Sequence, residues 1–126
     1  AYAWQTLIKK GTILASGSDF PVEPANPFYG IHAAVTRQDR NNLPKQGWIA
    51  IEKMTLKQAL ASFTINNAYA NKRESNLGSL EADKWADFIL VDQDVFAIEP
   101  QNIWKTKVLQ TWVAGQKIFD INKTEL

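Results

Sequence analysis

The chain has 126 residues, 45% of them hydrophobic and 21% charged, a composition that fits one globular domain able to bury a core. Fourteen basic against thirteen acidic residues leave a net charge of +1, scattered rather than clustered, which argues against nucleic acid or an anionic membrane as a partner. There is no cysteine, hence no disulfide framework and no thiolate metal site, and no apolar run approaches the roughly eighteen residues that a membrane span needs.

In chain order, Tyr2, Trp4, Leu7 and Ile8 read as the last turns of an amphipathic helix, with Lys9 and Lys10 near its negative end and Gly11 as its stop. A helix already under way, with no initiator Met, points to a fragment of a longer protein; the compartment stays open, because a chain without cysteine fits several. The run Thr12–Ser16, "TILAS", predicts a strand buried on both faces, and a strand closely following a helix suggests an αβ unit of a parallel sheet or barrel. Gly17 and Ser18 allow a tight exit, Asp19 ends the strand, and Pro21, Pro24 and Pro27 forbid further ladder pairing.

Asn26 and Pro27 form an N-cap and N1 pair, predicting a helix to about Arg37 with Phe28, Ile31, His32 and Val35 on one face. A polar loop from Asp39 to Gly47 follows. "MTLKQALASFTINNAYA" predicts the clearest helix, with Thr55 and Gln58 at capping-box spacing and Leu56, Ala59, Leu60 and Phe63 recurring at helical period. From Leu77 the chain turns β-rich: a short strand, a polar turn at Glu81–Lys84, an apolar strand at Phe88–Val91, and a hairpin with its turn at Gly115-Gln116.

Asp19 lies where open α/β sheets and barrels carry their functional side chains, at the C-terminal end of a strand. The competing use for an Asp in this setting is structural, as an Asx-type turn or a cap on a neighbouring N–H. His32, the single histidine, falls on the apolar side of its helix and reads as a satisfied core residue, since one His and one Asp do not make a catalytic zinc site. Arg37 suits an anionic group, an ion pair or a helix C-terminal cap. There is no cysteine nucleophile, G-x-S-x-G elbow, phosphate loop or H-E-x-x-H. The five tryptophans fall in different elements and read as core or interface, and Asn122-Lys123-Thr124 matches a glycosylation sequon common by chance.

Taken together, "ILASGSDFPVEPANPFYGIHAAVTRQD", "MTLKQALASFTINNAYA", "LGSLEADKWADFILVDQD" and "VLQTWVAGQKIF" resemble, in order, the C-terminal part of the amidohydrolase superfamily, nearest its YtcJ-like branch. The resemblance implies an α+β fragment. Residues 1–76 would form the last strand and helices of a (β/α)8 barrel, and residues 77–126 the C-terminal strands of a small β-sandwich. It implies a metal-dependent hydrolase of C–N bonds with a small-molecule substrate, in which Asp19 contacts a divalent metal, zinc in the first instance, or its water, and acts as general base. Phe20, Pro21 and Val22, by adjacency, would shape the mouth of the pocket.

The superfamily's metal-binding histidines have no counterpart in these residues, and His32 matches none of them. The isolated chain is therefore expected neither to hydrolyse nor to hold a metal tightly. A barrel strand without neighbours leaves unpaired edges, so a homo-oligomer is expected. The alternative of another class is a small α+β interaction module with no catalysis, in which Asp19 is structural.

Overall fold

A computed structural model of the chain describes residues 2–123; Thr124 of the sequon lies outside the described residues. Its elements are helices α1 (Trp4–Lys9), α2 (Pro27–Thr36), α3 (Leu56–Phe63) and α4 (Ile65–Ala70), and strands β1 (Phe88–Val91), β2 (Val108–Val113) and β3 (Gln116–Asp120). Short 3₁₀ turns cover Ala50–Glu52, Pro100–Lys105 and Ile121–Lys123. The strands form one antiparallel sheet in the order β1-β2-β3, giving an α+β architecture.

The capping signals work as the sequence predicts. Asn26 accepts the Phe28 N–H at 3.0 Å with Pro27 at N1, so α2 starts there, and it ends at Arg37 in a left-handed C-cap conformation. Thr55 and Gln58 complete a reciprocal capping box at the start of α3, each side chain satisfying the other's backbone N–H. The expected face of α2 is buried at Phe28, Ile31 and His32, with Val35 packed against the same core. Gly30 marks the crossing of α2 and α3, where a Cβ would lie 2.7 Å from the Phe63 ring.

The core joins both halves of the chain. Phe28, Ile31, Ala34, Met54 and Ala59 pack around Ile103, which comes from the 3₁₀ turn between β1 and β2 and is 1% exposed. Tyr29 and Trp104 meet edge-on at 6.5 Å across the same junction.

Four expectations are corrected. Thr12–Ser16 is not a strand among the described residues, because no neighbouring strand offers it a ladder. Side chains take that role: Asn66 Nδ2 donates to Leu14 O at 2.9 Å, Asn67 Nδ2 donates to Ser16 O at 2.8 Å, and the Ser16 N–H donates to Ser62 O.

The predicted single helix from Thr55 to Ala70 breaks at Thr64, whose hydroxyl donates back to Leu60 O at 2.7 Å and whose backbone leaves helical geometry. That break sets the direction of α4, from which Asn66 and Asn67 reach the 12–18 segment. No strand forms at Leu77; Gly78, at φ +92°, instead packs onto α4, where a Cβ would fall 2.8 Å from Ile65 Cα.

The hairpin turn is Ala114-Gly115, one residue earlier than expected, since Val113 pairs with Gln116 and both turn residues have positive φ, as a type I′ turn requires. Asp87 supports it by accepting the Ala114 N–H at 2.7 Å.

Candidate active site

Asp19 sits at the end of the unpaired 12–18 segment with φ +59°, a left-handed backbone that Asp and Asn adopt more readily than other side-chain-bearing residues. Its carbonyl, not its carboxylate, builds the local turn by accepting the Val22 N–H at 2.9 Å. The carboxylate is exposed and has no hydrogen-bond or ion-pair partner among the described residues, so it is not spent on an Asx turn or a cap.

Asp19 lines a cleft of about 530 Å³ bounded by α1, α2, α3 and the 16–24 loop. Tyr2, Trp4, Tyr29, Met54 and Phe63 supply its apolar walls, and Asp19 with Glu23 its acidic rim. Phe20 and Val22 stand 68% and 78% exposed, and with Pro21 they lie outside the cleft lining. Glu23 was not singled out from the sequence; the structure brings it beside Asp19 through the turn in which the Glu23 N–H reaches the Asp19 carbonyl at 3.4 Å.

Two buried charged side chains hold the aromatic wall. Arg37, 6% exposed, donates from Nε to Trp48 O and from Nη1 to Tyr2 O, both at 2.9 Å. Its guanidinium lies 4.6 Å from the Trp4 ring centre and 4.9 Å from that of Trp48. Its Nη2 is buried without a partner. Glu52 accepts both the N–H and the hydroxyl of Thr6, and these two bonds, the hydroxyl's first, hold its carboxyl below the usual glutamate range despite burial. Arg37 is thus a helix C-cap and a brace for Tyr2 and Trp4, not a group facing the cleft.

His32 is 1% exposed and its Nε2 lies 3.1 Å from Asn42 Oδ1, the satisfied core position that the sequence predicts. Burial lowers its pKa, opposed by the Asn42 bond and the Asp39 charge. Gln38 and Asp39 hold the following loop, Gln38 Nε2 through the carbonyls of Asn42, Pro44 and Lys45 and Asp39 through the N–H groups of Asn41 and Leu43. Among the described residues no group of three or more His, Cys, Asp or Glu side chains is placed to hold a metal, so these residues do not fit one by themselves.

The model of the Amidohydrolase family matches residues 1–119, and the chain belongs to that family. Among its relatives, the putative amidohydrolase YtcJ of Bacillus subtilis is 32% identical over 120 residues, covering 95% of this chain and 23% of the relative. The protein LONG AFTER FAR-RED 3 of Arabidopsis thaliana is 33% identical over 94% of this chain and 20% of its own length. The N-substituted formamide deformylase of Arthrobacter pascens is 30% identical over 88% of this chain and 20% of its own. The crystal structure of an amidohydrolase from Thermotoga maritima superposes with a TM-score of 0.69 at 20% identity, over 95% of this chain and 26% of that one, a likeness of fold. The chain spans about a fifth to a quarter of the proteins it matches.

Proposed function

We propose that this chain is the C-terminal part of a metal-dependent hydrolase of small molecules containing amide-type C–N bonds, and that Asp19 is the catalytic residue it contributes. Family membership supports the reaction class, and the unengaged Asp19 carboxylate at the rim of a cleft carries the assignment of the residue. On this reading Thr12–Asp19 becomes the eighth strand of a barrel only when chain outside these residues pairs with it, and β1 to β3 belong to a small sandwich. The other ligands of a divalent metal such as zinc, which Asp19 would contact directly or through its water, would likewise come from outside.

The steps assigned to this chain are its own. An ionised carboxylate only accepts, so Asp19 can take the proton of an attacking water; once protonated it becomes a donor and can deliver that proton to the leaving nitrogen. Phe20, Pro21 and Val22, on the exposed turn beyond Asp19, would meet the substrate as it enters.

In the full-length protein, Asp19→Asn should remove hydrolysis of amide-type substrates while leaving thermal unfolding unchanged; retained activity would overturn the assignment. The 126-residue chain alone should hold no stoichiometric zinc after dialysis, and zinc that is retained, then lost on Asp19→Asn, would contradict the division of ligands.

A further inference from the structure

We propose that Asn67 is a positioning residue for the Asp19 carboxylate, acting through the backbone of Ser16. Along the segment before Asp19, Leu14, Ser16 and Ser18 are half-buried while Ile13, Ala15 and Gly17 are exposed, the alternation of an extended chain. Ser16 has both backbone groups tied to the α3–α4 pair: its N–H donates to Ser62 O at 2.9 Å and its carbonyl accepts from Asn67 Nδ2 at 2.8 Å. Asn66 Nδ2 donates to Leu14 O at 2.9 Å in the same way. Asp19 lies three residues beyond Ser16.

The break at Thr64 makes these contacts possible. In a continuous helix the Ser62 carbonyl would accept the N–H four residues on, that of Asn66; because the chain leaves helical geometry at Thr64, it takes the Ser16 N–H instead. Ser62 is fully buried and its hydroxyl donates to Ala59 O at 2.7 Å, so the acceptor is part of the packed end of α3. In an extended chain the N–H and C=O of one residue point to the same edge, so the three bonds close the edge of Leu14 and Ser16. The edge of Ile13, Ala15 and Gly17 is left for chain outside these residues to pair with.

A carbonyl only accepts, so Asn67 acts here through its N–H donor and not its bulk. Asp has nearly the same shape and suits the first turn of α4 at least as well as Asn, but when ionised it has no donor and sets its oxygen against that of Ser16. A role in packing or in helix stability therefore tolerates Asp, whereas a role through the Ser16 carbonyl does not. Position matters because a general base must stay within hydrogen-bond reach of the proton it takes, and a shift of about 1 Å costs on the order of 100-fold in rate.

The proposal rests on the hydrolase reading of Asp19. The test uses the full-length protein and the fastest substrate from a panel of N-substituted formamides and acetamides. Asn67→Ala and Asn67→Asp should each lower kcat about 10- to 100-fold with KM within about two-fold of the parent, and Asn67→Gln, which keeps the donor, should recover part of the loss. Hydrogen exchange of the peptide 15–22, followed by mass spectrometry, should quicken in the Ala and Asp variants and less in the Gln variant, with the α2 peptide 28–36 unchanged.

Parental kcat in Asn67→Asp, or exchange of the peptide 15–22 equal to the parent's in that variant, would overturn the proposal. Full hydrolysis by Asp19→Asn would overturn the catalytic reading and the positioning role with it, whereas an inactive Asp19→Asn beside a fully active Asn67→Asp would remove the positioning role alone.

Discussion

Glu52 caps a helix that cannot cap itself: its carboxylate accepts the Thr6 N–H at 2.9 Å in the first turn of α1, whose own N-cap, Ala3, has no side-chain acceptor. An orphan N–H at a helix start needs a partner, and here the acceptor comes from 46 residues further along the chain. Glu52→Ala should lower the melting temperature by about 3–6 °C. It should also speed hydrogen exchange at Thr6, and Glu52→Gln, which keeps an acceptor, should recover part of both. The folded carboxyl titrates below its unfolded value, so this contribution is complete above the unfolded pKa and is lost as pH falls through the folded one. Melting curves at pH 7 and pH 3 should differ less in Glu52→Gln than in the parent.

Asn66 and Asn67 donate from α4 to the Leu14 and Ser16 carbonyls of the segment that carries Asp19. Asn67→Ala leaves the Ser16 carbonyl without that donor and should cost about 1–2 kcal/mol in urea unfolding. If the bond also holds the segment in place, the Gly17 and Ser18 amides should exchange faster in this variant at unchanged α2 protection. Equal exchange in both proteins would assign the bond no positioning role.

His32 is held neutral by burial, with a pKa below its unfolded value. Such a group gives its full stabilisation above the unfolded pKa, about 6.5, and loses it as pH falls toward the folded value, because the unfolded chain gains the proton first. The urea midpoint should therefore drop between pH 7 and pH 5.5. His32→Gln, which can still donate to Asn42 but does not titrate, should show a flatter profile over that interval; the same slope in both would place the titration elsewhere. Asp39, also held below its usual range, first by the Leu43 N–H, contributes only at lower pH.

Gly78 brings the loop before the sheet against α4 at a distance no side chain tolerates, and at a backbone angle that L-residues resist. Gly78→Ala should destabilise by about 2–4 kcal/mol, since both strain and overpacking act and the obstructing Ile65 Cα is backbone. A change below 0.5 kcal/mol, on the order of a neutral surface substitution, would mean that the loop lifts away from α4.

Local chemistry was legible in the sequence wherever neighbours along the chain settle the outcome. Asn26-Pro27 starts α2 and Thr55 with Gln58 starts α3, because a cap and its N–H lie within three residues of each other. Strand Phe88–Val91 and the core face of α2 followed from apolar pattern, and the same pattern placed His32 inside. Asp19 drew notice as the residue after a predicted strand end, but the residues alone fitted a turn or cap as well, and a catalytic role came only from the family resemblance.

What the tertiary structure decided are the matters that depend on groups far apart. A run such as Thr12–Ser16 favours β geometry, yet becomes a strand only if another strand meets it; here asparagines from α4 do so instead. The cap supplied by Glu52, the brace of Arg37 between Trp4 and Trp48, and the acid at Glu23 on the cleft rim carry no local signature. Periodicity and propensity report a residue's neighbours in sequence, whereas an orphan N–H, a buried guanidinium and an unpaired carboxylate are defined by what the folded chain brings to them or withholds.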